Sequence, residues 1–211
     1  MNVIREYDGR MPTATSRPYV LRARAEQVAR TRAAILDATV DLAFEIPLAQ
    51  ATLPRIAERA GTTVQTVLRQ FGGRDALLES ALEWGARAIA ATRPADPERL
   101  DATFAAHLEH YERVGDGVLL LLAQERWEPF ARRVTDLGRA VHREWVRGAF
   151  APELADAARP RTLEDALVVA TDVYVWKLYR RDMGLEADEV GRRMRGLVEA
   201  VLAAEEGMER P

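Results

Sequence analysis

The stretch from Leu53 to Gln70 reads LPRIAERAGTTVQTVLRQ, and it constrains the fold more than any other part of the chain. Leu53, Ile56, Ala57 and Ala60 recur at helical spacing before Gly61, and Val64, Val67 and Leu68 recur at the same spacing after it. Ala57 is small where two helices have to cross closely. Gly61 stands in the turn, where a positive φ is often needed. Thr63 is placed to cap the second helix, and Val64 and Val67 pack that helix onto the first. This leaves Gln65, Thr66, Arg69 and Gln70 as a polar outer face able to bond base edges or phosphates. The pattern is that of a helix-turn-helix. From these residues alone, a plain helical hairpin is the alternative.

The flanking sequence is helical on both sides. A first helix is expected from Arg22 to a stop before Pro47, carrying Val28, Ile35, Leu36, Val40, Leu42 and Ala43 on one face. Thr52 reads as the cap of the next helix, with Pro54 in its first turn. A further helix is expected from Asp75 towards Ala91. Asp96-Pro97-Glu98 is a start signal for another. Gly115-Asp116-Gly117 reads as a turn, and Val118 to Trp127 as a short apolar helix broken near Pro129. Phe130, Val134, Leu137, Val141 and Trp145 mark one face of a long helix. Pro152 to Pro160 reads as a loop, and Thr162 to Asp165 resembles a capping box. One helix is then expected from about Leu163 to Met183, ending at Gly184, and a last one carries Val190, Met194, Leu197, Val201 and Leu202. No strand pattern or internal repeat is visible. The expected fold is all-α with about nine helices.

Charge divides the chain. The 211 residues carry a formal net charge of -3. The first 34 hold seven arginines against three acidic residues, a local +4 that leaves -7 for the remainder. A basic end on an acidic body suits a polyanion on one face, or simply a solvated basic tail. Residues 1–20, with Gly9, Pro12 and Pro18, read as a flexible arm. An apolar fraction of 48% supports a sizeable core. The absence of cysteine excludes disulfide and thiolate chemistry and fits a reducing cytoplasm. No signal peptide is expected from residues 1–16, and the longest apolar run, Val118–Ala123, is too short to span a bilayer.

The segments LDATVDLAFE, TLPRIAERAG, TTVQTVLRQF and GGRDALLESAL, over roughly residues 26 to 90, together resemble the amino-terminal domain of TetR-type regulators. Phe71 stands where an aromatic closes the recognition helix, and Arg74 and Asp75-Ala76-Leu77 open the helix after it. The resemblance implies an all-α regulator with a DNA-binding domain over 21–74 and an effector-binding and dimerisation domain over 75–211. It implies a homodimer that binds palindromic double-stranded operator DNA as a repressor released by a small-molecule effector, with no cofactor and no catalysis. Expected DNA contacts are Arg30, Arg32, Thr52, Thr63, Gln65, Thr66, Arg69, Gln70 and Arg74, with Gln65, Thr66 and Arg69 reading bases and Arg22 and Arg24 adding charge from the arm. Leu68 departs from the tyrosine common at its position, and Gln70 from tyrosine or histidine. A leucine cannot donate to phosphate, which moves backbone binding to Thr52, Thr63, Arg69, Gln70, Arg74 and the arm.

In the second half, Phe104, His107, Tyr111, Leu122, Trp127, Val141, Trp145 and Tyr174 supply the large apolar walls and polar handles of an expected effector pocket. Val168, Val175, Trp176, Tyr179, Val198 and Leu202 are the expected dimer surface, because the helices bearing them are apolar on more than one side. Asp172, set in so apolar a segment, could bond a ligand, and is expected rather to pair with an arginine or reach solvent. Two other functions are open. His107, His110 and His142, with Glu109, Glu112 and Glu144 nearby, offer ligands for a metal-dependent enzyme, although such a site needs three or four groups to converge. A helical adaptor that binds only protein would use the same helices without the basic arm.

Overall fold

A computed structural model describes residues 17–208, and among them there are helices and no strands. The α-helices are α1 (Arg17–Glu45), α2 (Leu53–Arg59), α3 (Val64–Phe71), α4 (Arg74–Thr92), α5 (Leu100–Gln124), α6 (Pro129–Ala149), α7 (Ala151–Asp156), α8 (Pro160–Ala170), α9 (Val173–Lys177) and α10 (Ala187–Met208). Residues 1–16, most of the expected arm, lie outside the described residues. Residues 17–20 are helical rather than part of an arm, because Pro18 falls in the first turn of α1, where its missing N–H costs nothing. No helix among the described residues is long and apolar enough to cross a membrane.

Three apolar clusters run along the molecule. Ile35, Leu36, Leu42, Ile56, Ala57, Val67, Phe71, Leu77 and Ala81 bury one another beneath the helix-turn-helix. Ala43, Leu48, Leu78, Leu121, Phe130 and Ala131 form a smaller middle cluster. Phe104, Trp145, Phe150, Leu167, Trp176, Met194 and their neighbours fill the far end. Each fully buried Leu, Ile, Val or Phe contributes on the order of 1.5–3 kcal/mol. Because α4 gives Leu77 and Ala81 to the first cluster and Leu78 to the second, it is shared between the two ends of the molecule. Trp84 Nε1 also donates to Asp37 Oδ1 at 2.7 Å, which fixes α4 on α1.

Several local expectations are overturned by packing. Gly115 and Gly117 do not make a turn: α5 runs straight through them. A Cβ on Gly115 would lie 2.5 Å from the Trp176 ring, and one on Gly117 would lie 2.3 Å from Phe44, so both glycines serve close approach. The single helix expected over Leu163 to Met183 is broken at Thr171-Asp172. Asp172 Oδ1 accepts the Tyr174 N–H at 2.8 Å and caps α9, which passes into a π-helical stretch over Leu178–Asp182. Asp172 therefore acts as a helix cap. The loop expected over Pro152–Pro160 contains α7, with Pro152 in its first turn. The expected capping box does not form, because α8 begins at Pro160 and Thr162 lies inside it. The start at Asp96-Pro97 is as expected, with Asp96 Oδ1 accepting the Glu98 N–H at 3.0 Å.

Candidate nucleic-acid interface and ligand cavity

The turn between α2 and α3 is built by backbone hydrogen bonds. Gly61 adopts φ +62°, the Gly61 N–H donates to Glu58 O at 3.1 Å, and the Thr62 N–H donates to Ala57 O at 2.9 Å. This paired closure satisfies the last carbonyls of α2 and turns the chain sharply. Thr63 Oγ1 then accepts the Thr66 N–H at 3.2 Å and caps α3, an interaction worth about 1 kcal/mol. Ala57 is buried at the crossing, and Val67 is buried below it.

The expected DNA contacts divide into three groups. Gln65 and Arg69 are exposed one turn apart on the outer face of α3. Thr52 and Thr63 are exposed at the starts of α2 and α3, and the Thr52 side chain makes no capping bond. Thr66 is half-buried, with its hydroxyl 3.1 Å from that of Thr63, so it is engaged with the cap.

A second group holds the helix in place. The Arg32 guanidinium lies 4.2 Å from the Phe71 ring centroid and donates to Gln70 O at 3.4 Å, which ties the end of α3 to α1. Gln70 is half-buried, with Oε1 sequestered and without a hydrogen-bond partner among the described residues. Arg30 is exposed beside Gln27, to which it donates at 2.8 Å.

Arg74 has a structural role. Its guanidinium donates to Leu48 O at 2.5 Å and to Ala51 O at 3.2 Å. It is half-buried and locks the segment between α1 and α2 through two of its five donors. Leu68 is 42% exposed on the same helix as Arg69, presenting an apolar surface.

A cavity of about 360 Å³ lies between the helix-turn-helix end and the body. Its walls come from α1 (Thr39, Val40, Ala43, Phe44), α4 (Leu78, Leu82, Ile89), α5, α6 and the α8–α9 junction. Of the expected pocket residues, Tyr111, Leu122, Val141 and Tyr174 line it. Phe104, His107 and Trp145 do not: they are buried in the far cluster, where His107 stacks on Trp145 with centroids 4.2 Å apart. Trp127 is 70% exposed and also lies away from the cavity.

All three histidines of the chain gather near Arg93. His107 Nε2 bonds Thr171 O at 2.8 Å, which Tyr111 Oη also bonds at 3.2 Å. That carbonyl requires the His107 proton on Nε2, leaving Nδ1 to accept from Arg93 at 3.4 Å. Burial first, then His142 and Arg93, hold the His107 pKa well below the usual imidazole value. Burial, then the Arg93 charge, lowers both His110 and His142 to about 4. Burial also pushes the Arg93 pKa down and the Tyr111 pKa up. The His107 and His142 rings stack on each other and bond backbone carbonyls, His110 is tilted against Tyr111, and no metal-binding group of three or more ligands occurs among the described residues.

Sequence reading missed Arg93, His110, His142 and the α1 wall as cavity residues. The histidines were visible as residue types, but Arg93 before Pro94 reads as an ordinary charge at a helix end, and only its burial distinguishes it.

The expected dimer residues also divide. Trp176 and Val198 are buried within the protomer. Val168, Val175, Tyr179 and Leu202 are partly buried against the same core. Exposed apolar side chains on these segments include Val169 on α8, at 65%, Tyr174 on α9, at 52%, and Leu197 on α10, at 37%. Periodicity marks these segments as apolar helices, but which side is left exposed depends on how α8 and α10 pack on the body.

Residues 35–81 match the family model for bacterial regulatory proteins of the tetR family. Over 51 residues the chain is 43% identical to the HTH-type transcriptional regulator BetI 1 of Chromohalobacter salexigens, a match covering 24% of this chain and about a quarter (25%) of that protein. In fold it is similar to a transcriptional regulator from Rhodococcus sp. Rha1, with a TM-score of 0.63 at 16% identity over 82% of this chain and 96% of the other. A second solved structure, a Rhodococcus sp. protein classed with the TetR-family transcriptional regulators, gives a TM-score of 0.62 at 18% identity over 82% and 98% of the two chains. The helix-turn-helix of this all-α chain is thus similar to that of the bacterial regulatory proteins of the tetR family, over residues 35–81.

Proposed function

We propose that this protein is a one-component transcriptional regulator whose homodimer binds a palindromic operator and is released from it by a small-molecule effector, acting as a repressor. The observation that carries the reading is the exposure of Gln65 and Arg69 on an α3 that is capped by Thr63 and anchored through Arg32 and Phe71. Such a helix enters the major groove N-terminus first. Gln65 and Arg69 are the base readers, and Thr52, Thr63 and Arg30 face the phosphates, which orient the protein without carrying sequence information. Residues 21–74 act as the DNA-binding unit and 75–211 as the effector and dimer unit, with α4 common to both.

One recognition helix covers too short a site for useful specificity, so two half-sites about one helical turn, or a multiple, apart have to be read together. A second copy laid on α8 and α10 covers Val169 and Leu197. The cavity supports the regulatory part of the reading, because α1 and α4 form its walls and also carry the core beneath α3. A ligand that favours a spacing of the two α3 helices unsuited to DNA lowers operator affinity, and DNA lowers ligand affinity by the same factor. Selection from random duplex DNA tests the proposal: an enriched palindrome supports it, and no enrichment contradicts it.

A further inference from the structure

The cavity holds a charge that the described protein does not neutralise. Arg93 is 8% exposed, and no carboxylate of the described residues lies within ion-pair distance of it. One of its five donors goes to His107 Nδ1, and the guanidinium sits 5.5 Å from the Trp145 ring. A buried cation with so little compensation is costly, and in a ligand site that cost is offset when an anion enters.

Two further atoms at this wall lack partners. His110 Nδ1 and His142 Nδ1 are buried without a hydrogen bond among the described residues, and both residues line the cavity. For His142 the missing partner has a definite sign. Nε2 faces Val168 O at 3.3 Å and Thr171 Oγ1 at 3.2 Å, while that hydroxyl donates to Leu167 O. The His142 proton is therefore on Nε2, and Nδ1 is a bare acceptor. The other arginines at the cavity are already paired, Arg139 with Glu125 and Asp136 and Arg143 with Glu164 and Asp165, while the Asp172 carboxylate at the α8–α9 junction accepts the Tyr174 N–H without an ion-pair partner among the described residues. The remaining wall is mainly apolar, including Phe44, Leu82, Leu121 and Val134.

We propose that the cavity binds an apolar monocarboxylate whose carboxylate pairs with Arg93 and whose hydroxyl or N–H donates to His142 Nδ1, a proposal resting on the reading of this cavity as the effector site. One cation calls for one negative charge, and the apolar walls call for a carbon skeleton rather than a sugar or nucleotide.

Calorimetry on the full chain tests it with decanoate, naphthylacetate, decanol and decyltrimethylammonium as probes. A carboxylate should bind about tenfold or more tightly than decanol, and Arg93→Gln should abolish that preference while leaving decanol affinity in place. Arg93→Lys should restore part of it. Hydroxydecanoate should gain over decanoate in the wild type but not in His142→Phe. Equal affinity for decanoate and decanol, a carboxylate preference that survives Arg93→Gln, binding of no carboxylate, or preferred binding of decyltrimethylammonium that Asp172→Asn removes would each overturn the proposal. An operator gel shift with each probe separates the two readings. Arg93-dependent carboxylate binding that leaves the operator complex intact defeats the effector reading alone, whereas ligand failure with operator binding retained defeats only the ligand proposal.

Discussion

The Leu48 N–H donates to Gln124 Oε1 at 2.9 Å, while the Leu48 carbonyl accepts from Arg74 at 2.5 Å. One buried peptide segment thus joins the last turn of α5, the entry to the helix-turn-helix and the start of α4. Gln124 Nε2 in turn donates to Leu120 O at 2.8 Å, which fixes the amide orientation. Replacing Gln124 with Leu leaves a buried N–H unpaired, at a cost of about 1–3 kcal/mol. The thermal midpoint should fall by about 2–4 °C per kcal/mol lost, and the effect of a bound cavity ligand on operator affinity should shrink. An unchanged midpoint would show that this link is not a structural one.

Arg74 and Arg69 should behave in opposite ways. Arg74→Met removes two bonds to backbone carbonyls and should lower the thermal midpoint while leaving the salt dependence of operator binding unchanged. Arg69→Ala, at an exposed position, should keep the midpoint and weaken operator binding. A shallower salt slope for Arg74→Met would restore it as a phosphate contact.

Gly117 lets α5 approach Phe44 on α1, so Gly117→Ala forces a Cβ to within 2.3 Å of that ring. Overpacking of this kind costs about 1–3 kcal/mol. The same change at Gly138, which has open space around it, should be neutral or stabilising. The Gly117→Ala penalty should be smaller in a Phe44→Leu background, and a penalty of equal size in both backgrounds would refute the contact.

Acid should weaken the fold through the histidines. Burial, then the Arg93 charge, lowers His110 and His142 to about 4 in the folded protein, below the ordinary imidazole value of about 6.5. The unfolded chain therefore binds more protons between those values, and stability rises with pH across the window. The contribution is fully present above about pH 6.5 and is lost as pH falls through about 4, with a limiting slope of about 1.4 kcal/mol per pH unit for each histidine. Arg93 faces both rings, with Arg113 adding to its effect on His110 and Arg143 on His142. Thermal midpoints measured from pH 7 to 4 should fall, and should fall less in His142→Phe. A flat profile would contradict burial of neutral imidazoles.

The helix-turn-helix was legible because its signals are local. Gly61 has a positive φ, Thr63 caps its own helix, and Ala57 lies at the crossing, all within one short segment. The errors came where tertiary packing overrode local preference. Gly115-Asp116-Gly117 carries the composition of a turn, yet Trp176 and Phe44 occupy the space beside those glycines and the helix continues. Asp172, expected to pair with an arginine or reach solvent within one continuous helix, instead caps α9 at a helix break. The cavity was only partly legible, since four of its eight expected residues line it. Which face of an apolar helix meets a void is set by neighbours far away in sequence.

Selection of a preferred site from random duplex DNA by the full chain, followed by gel shift of wild type and Arg69→Ala on that site, tests the central claim most directly. The account predicts an enriched palindrome with half-sites about one helical turn, or a multiple, apart, bound tightly by the wild type and weakly by an Arg69→Ala protein of unchanged thermal midpoint. No enriched sequence, or equal binding by the two proteins, would contradict it.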